Sequence, residues 1–341
     1  MLTALFTARG IKVELVCPAG NYQSLMKAVD NGANAVYMGL KNETNARHFA
    51  GLNFSETQIS KAIEYAHARN CKVFCAINTY PREYKWERWT YAADQAMALG
   101  IDSLIVADIG VMDYIRSRSD DFPIHLSVQA SSTNLESLNF YHRHFAIRRA
   151  VLPRVLSLAQ VAKLATTAPV EIEVFGFGSL CIMAEGRCYL SSYLTGESPN
   201  TQGVCSPAAY VQWKDQNGVL ESRLNGLLID RFGENENAGY PTLCKGRFEV
   251  NGRVEHALEE PTSLNTMDIL PQLIESGVVA IKIEGRQRSP SYVATVTKAW
   301  RQAIDSVSKG ATSVNPHTIN QLATLAEGRQ TTIGAYERNW Q

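Results

Sequence analysis

Four of the seven cysteines, Cys181, Cys188, Cys205 and Cys244, fall within about a fifth of the 341-residue chain. Their spacing is C-x6-C-x16-C-x38-C, in a tract rich in Gly, Pro, Ser and Asn. Thiolates gathered in one irregular segment suit a soft metal centre, and an iron–sulfur cluster takes four of them. Structural zinc more often rests on C-x2–4-C knuckles, and no such pair occurs in this tract. Spacing alone leaves iron–sulfur, zinc and ordinary buried thiols all open, with iron–sulfur as the reading it favours.

The other candidate groups stand where strands are expected to end. They are Asn45, Arg47 and His48, then Asn78, Asp108, Gln129 and Arg154, and finally Lys282, Glu284 and Arg286. Long basic side chains converging on a pocket suit an anionic ligand, because Arg grips a carboxylate through two parallel hydrogen bonds. For any one of them a structural ion pair is an equal reading. His142 and His144, at i, i+2 spacing, face different sides of a helix and so make no metal pair. Trp86 and Trp89 are read as the start of an amphipathic helix rather than as base-stacking groups. Cys71 and Cys75 share one face of a strand, where a free cysteine packs as a small hydrophobe.

These groups need elements to position them. Strand-like runs are expected at 12–17, 35–40, 71–78, 103–108, 124–130, 149–153, 170–175 and 278–284, with helical patterns at 21–31, 55–69, 86–99, 109–118, 134–145, 157–167 and 290–307. Alternation of this kind is the trace of repeated βα units, and eight of them predict an α/β fold, a (β/α)8 TIM-like barrel. Residues 1–11 read as an N-terminal extension, 12–178 as strands one to seven, 179–277 as a cysteine-bearing insertion after strand seven, and 278–341 as strand eight, a closing helix and a tail. Short β-like pieces at 208–213, 219–224 and 247–255 are expected inside the insertion, with turns at Gln216-Asn217-Gly218 and Asn251-Gly252. In such barrels chemistry is built at the carboxyl ends of the strands, so the insertion should fold over that face.

Composition sets outer bounds. Thirty-three acidic and 33 basic residues cancel, which removes the simplest warrant for nucleic-acid binding and argues against DNA as a partner. No apolar run is long enough to span a membrane, and the N-terminus lacks the pattern of a leader, so a cytoplasmic protein is expected. An odd number of cysteines in such a chain argues against a disulfide framework. No phosphate-binding glycine loop is present, and neither H-E-x-x-H nor G-x-S-x-G occurs.

Residues 173–191, EVFGFGSLCIMAEGRCYLS, resemble the signature E-x-F-x2-G-S-L-C-x4-G-x-C-x-L-S of the peptidase U32 family. The segments CPAGN at 17–21, NARHFAGLNF at 45–54, SSYLTGESPN at 191–200 and KIEGRQRSP at 282–290 are similar to the ubiquinone-biosynthesis branch of that family. The resemblance implies a TIM-like barrel and a [4Fe–4S] cluster on Cys181, Cys188, Cys205 and Cys244. It further implies a heterodimer with a UbiV-like cluster protein, acting in oxygen-independent hydroxylation of a polyprenyl-phenol quinone precursor, with prephenate as oxygen donor. Other members hydroxylate RNA bases, which is the alternative function; the neutral charge and the lack of the extra domain seen in those members weigh against it. A scaffold that only binds its partner is a third reading, and peptidase activity is not expected.

Overall fold

A computed structural model describes residues 13–181, 183, 185–234, 236 and 238–337. The proposed extension at 1–11 and the last residues of the tail, from Arg338, lie outside the described residues. Eight parallel strands form the centre: β1 (Glu14–Pro18), β2 (Ala35–Gly39), β3 (Lys72–Ile77), β4 (Ser103–Val106), β5 (Ile124–Leu126), β6 (Arg149–Val151), β7 (Glu171–Ser179) and, after the insertion, the strand Ala280–Ile283. Each pairs with the next, and Ala280–Ile283 pairs both with β7 and with β1, so the sheet closes on itself. The expected (β/α)8 TIM-like barrel is therefore present, and each strand lies within a few residues of its expected range.

Helices cover the outside because each has one apolar face. In Glu56–His67, the residues Ile59, Ala62, Ile63 and Ala66 are buried at helical spacing, and Ser55 with Gln58 closes a capping box at its start. Pro290–Ser308 begins with proline in its first turn, where no N–H is needed, and buries Val293, Val296, Trp300 and Ile304 against the barrel wall. Trp89 belongs to this layer too: it is fully buried and donates its indole N–H to Thr79 O at 3.1 Å, so it is core rather than a stacking platform.

The barrel interior is less ordinary. Strand alternation turns Val16, Ala35, Tyr37, Phe74, Ala76, Ile105 and Ala280 inward as a small apolar cluster. The same inward rows carry charge where branched apolar residues usually fill such barrels. Lys282 donates to Glu173 at 2.6 Å; Glu173 also meets Arg149 at 3.3 Å; Arg149 in turn meets Glu171 at 2.6 Å and Glu14 at 2.8 Å. Burial alone would raise the Glu173 carboxyl, but Lys282 and Arg149 outweigh it and hold it below the usual carboxylate range.

The insertion contains a three-stranded antiparallel sheet, β8 (Val211–Gln216), β9 (Val219–Leu224) and β10 (Leu227–Phe232), and a hairpin, β11 (Arg247–Val250) and β12 (Arg253–His256). The turns expected at Asn217-Gly218 and Asn251-Gly252 are there, all four residues at positive φ as two-residue hairpin turns require. Next, β13 (Ser263–Asn265) pairs antiparallel with the end of β7, and the helix Leu270–Glu275 leads into β14, the barrel strand Ala280–Ile283. Near the C-terminus β15 (Thr331–Thr332) adds to the far side of β13.

Candidate functional site

A cavity of about 1700 Å³ opens at the carboxyl ends of the strands, roofed by the insertion and by residues 324–330. All four clustered cysteines line it. Cys181 is exposed to the cavity; Cys188, Cys205 and Cys244 are half-buried.

Each cysteine is positioned by contacts that reach back to the barrel. Between Cys181 and Cys188, Glu185 is held by Arg154 at 3.0 Å, and its carbonyl accepts from Ser131 Oγ at 2.5 Å. Gly186 has φ +77° and lies so near Gln129 O that a Cβ would stand 2.2 Å from it. Tyr80 donates to the same carbonyl at 2.7 Å. Asn200 donates to Cys188 O at 2.9 Å and accepts from Cys188 N at 3.3 Å, while Tyr80 N donates to Asn200 O at 2.8 Å. Ser191 Oγ donates to Cys205 O. Two residues before Cys205, Gly203 packs on the Asn45 carbonyl and accepts from His48 N at 3.1 Å. Cys244 sits in the turn Leu243–Lys245, tied to the tail by the Lys245–Glu327 ion pair.

The thiols sense one another. Burial raises Cys205, as do the charges of Cys181 and Cys188, while Arg47 pulls it down. Burial pushes Cys244 up to about 11, with Cys181 and Cys205 adding to the rise. Mutual repulsion of this kind is what bound cations relieve, since a metal takes thiolates and neutralises them. Among the described residues no three His, Cys, Asp or Glu side chains converge on a point for a single ion.

Cys17, Cys71 and Cys75 differ. All are buried in the layer between barrel and helices, each pushed up to about 12 chiefly by burial, and so inert as nucleophiles.

The strand-end candidates divide into lining and scaffold. Arg47, His48, Asn78, Gln129, Arg154, Lys282, Glu284 and Arg286 line the cavity. Asn45 does not: its amide donates to Leu40 O and Asn42 O and its oxygen accepts from Arg47 N, so it shapes the β2 loop. Asp108 instead caps the helix Ile109–Arg118, accepting from Val111 N at 3.0 Å. Asn78 accepts from Ala46 N and donates to Ser127 Oγ, joining the loops after β2, β3 and β5. Arg154 lies over the Phe175 ring at 3.7 Å. His142 and His144 end the helix Leu135–Phe145 and are absent from the cavity wall. Glu185 and Gly186 were not singled out by sequence reasoning, though they lie between two candidate ligands; Glu173, at the barrel end of the signature, was likewise passed over.

Residues 20–339 match the family described as Peptidase family U32. An uncharacterized protease of Methanocaldococcus jannaschii is 34% identical over 306 residues, covering 88% of this chain and 67% of that protein. The tRNA hydroxylation protein P of Escherichia coli is 28% identical, covering 92% of this chain and 72% of its own length. The 23S rRNA 5-hydroxycytidine C2501 synthase of the same organism is 28% identical over 304 residues, and the chain spans 40% of its length. No described helix is long and apolar enough to cross a membrane.

Proposed function

Because this chain belongs to the peptidase U32 family, whose matched relatives include proteins named for RNA hydroxylation, we propose that it is a cluster-bearing hydroxylase component acting on an aromatic or heteroaromatic ring. The observation that carries the reading is that Cys181, Cys188, Cys205 and Cys244 all line one cavity beside a polar barrel mouth. Those residues would hold a [4Fe–4S] cluster, which when bound supplies one-electron chemistry without oxygen. The chain's own groups do the rest: Arg154 fixes the loop through Glu185, Arg47 and Arg286 present cationic faces to the cavity, and Lys282 stands at its floor.

On the relatives' names a nucleobase in RNA is the acceptor best supported. The second reading is a polyprenyl-phenol quinone precursor, hydroxylated by a UbiU-like subunit together with a UbiV-like partner and with prephenate as oxygen donor. Two observations favour it: the segments at 45–54, 191–200 and 282–290, and a net charge of zero, which offers no general attraction to phosphates. Of the serines lining the cavity, Ser179 donates to Glu327 and Ser127 accepts from Asn78.

The test begins with anaerobic purification, iron and sulfide analysis and an absorption spectrum. A deletion strain grown without oxygen then separates the acceptors: a missing hydroxylated nucleoside by mass analysis supports RNA, and missing quinone with intact nucleosides supports the phenol. A protein with neither iron nor sulfide, whose loss changes neither pool, refutes the proposal.

A further inference from the structure

Past the helix Pro316–Ala323, residues 324–330 line the cavity that they roof. The chain turns there at Gly328, whose φ is +56° and where a Cβ would stand 2.2 Å from Pro261 O, so only glycine lets the tail lie this close. Backbone bonds fix the segment on both sides of the turn. Arg288 donates to Leu325 O at 2.8 Å, Glu327 N donates to Ser263 Oγ at 2.9 Å, and Ser263 N donates to Gln330 O at 3.1 Å. Immediately beyond, Thr331 and Thr332 pair in parallel with Ser263 and Leu264 of β13. The main chain of Glu327 is thus held in place before its side chain does anything.

That side chain reaches two other segments at once. One carboxylate oxygen accepts from Ser179 Oγ at 2.5 Å, and the other pairs with Lys245 Nζ. Ser179 is the last residue of β7 and stands two before Cys181; Lys245 follows Cys244 directly in the turn Leu243–Lys245. A single carboxylate therefore joins the segments carrying the first and the last of the four cysteines, from a point 148 residues beyond Ser179 and 82 beyond Lys245. The other contacts of the Cys244 turn stay within the insertion: Glu259 N donates to Cys244 O at 3.2 Å, and His256 Nδ1 lies 3.1 Å from Lys245 O. They fasten the turn to its own hairpin, whereas Glu327 fastens it to a barrel strand. Both Glu327 bonds involve a charge, which makes them stronger than neutral ones, and both are partly shielded from water.

We propose that Glu327 is a positioning residue for the cysteine wall: its carboxylate clamps the Cys244 turn against the end of β7 and so sets the reach between Cys181 and Cys244. The tail is then part of the site and more than a roof over it. Coupling of this kind is reciprocal, so a group bound by both cysteines also holds the tail down. The inference deepens the proposed function and rests on the cluster reading for its iron readout, while the clamp itself consists of bonds among protein groups.

The experiment compares full-length wild type, Glu327→Ala, Glu327→Gln and Lys245→Met, all purified without oxygen. Iron and sulfide are measured first; the metal is then removed with a chelator, and alkylation of each cysteine by iodoacetamide is timed by peptide mass spectrometry. Glu327→Ala is expected to hold less than half the iron of wild type and, once metal-free, to react roughly tenfold faster at Cys244 through local opening, with buried Cys75 as slow as before. Glu327→Gln keeps an acceptor for Ser179 and falls between the two. Lys245→Met frees the turn without touching the tail, should match the alanine variant at Cys244, and serves alone if that variant does not fold. General loss of stability would speed Cys75 together with Cys244, so the selective rise marks a positioning role. The inference is overturned if Cys244 keeps its wild-type rate in the variants, if Cys75 rises with it, or if an iron-bearing wild type and Glu327→Ala hold equal iron. A wild type without iron sinks the cluster reading and leaves the alkylation rates to decide the clamp; an iron-bearing wild type with unchanged rates in the variants sinks the clamp and leaves the cluster.

Discussion

Gly186 offers the sharpest probe of how the cysteine loop is held, because a second glycine controls for backbone strain. Gly186 and Gly196 have φ of +77° and +74°, so replacing either by alanine imposes the same left-handed penalty, roughly 1–2 kcal/mol. Their surroundings differ: at Gly196 a Cβ meets nothing within 4 Å, while at Gly186 it meets Gln129 O at 2.2 Å and Tyr80 Oη at 3.1 Å. That first contact is about 1 Å or more short of ordinary van der Waals separation, and its partner is backbone that cannot rotate away. Relief requires the loop between Cys181 and Cys188 to lift from the turn Val128–Ala130 that follows β5, adding roughly 1–3 kcal/mol and loosening the Glu185–Arg154 pair. Gly196→Ala should therefore lose about 1–2 kcal/mol of stability and keep full iron and sulfide. Gly186→Ala should lose about 2–5 kcal/mol and bind less than half the iron of wild type. Chemical denaturation with metal analysis of both variants reads the difference. Equal iron content and equal stability in the two would refute the claim that docking on the Gln129 carbonyl positions the cysteines.

Further outcomes follow from the same geometry. Changing Cys181, Cys188, Cys205 or Cys244 singly to Ala should abolish or sharply reduce cluster absorbance, whereas Cys75→Ala should keep it and show only the stability loss of a buried cavity, measured by iron analysis and thermal melts. Glu173→Gln breaks a buried pair from one side and should cost roughly 3–5 kcal/mol at neutral pH, read by denaturant titration. The pH dependence has a definite sign: Glu173 and Glu14 have folded-state values held below their ordinary 4.5, so their contribution is complete above about 4.5 and disappears as pH falls through the lowered values. Wild type should thus lose stability steeply below pH 4.5, and Glu173→Gln less steeply; parallel curves would show that the barrel network does not govern acid unfolding.

The barrel was legible because its strands are short apolar runs separated by helices with one apolar face, and both periods survive in the sequence. Ser55 and Gln58 mark a helix start, and Asn217-Gly218 a hairpin, through local chemistry that needs no tertiary context. What escaped was structure decided at a distance. Ser263–Asn265 is too short to show a period, and becomes a strand only because the end of β7 has a free edge. Leu227–Phe232 mixes Asp230 and Arg231 into an otherwise apolar run, and its burial depends on β9. Among candidate site residues, Asp108 and Asn45 carry the right chemistry at strand ends, yet their nearest unsatisfied backbone groups claim them, as helix cap and loop brace. The sequence signal for Arg286 was no stronger than for its neighbours; that it is buried yet lines the cavity is decided by the fold.

The closing of the barrel has a consequence for how the chain matures. Between the end of β7 and the strand Ala280–Ile283 lie about 100 residues, and the last staves of the ring cannot zip until the two ends of that span meet. Closure entropy grows only with the logarithm of length, so this detour adds roughly 2 kcal/mol over a connection of a dozen residues. No described residue of the cysteine tract takes part in the eight-strand hydrogen-bonded ring itself. The ring can therefore form without the cover, leaving a prefabricated vessel whose lid is fitted last, and if the proposed cluster holds that lid, metal-starved cells should accumulate chains nicked within it while the stave-built core still resists protease.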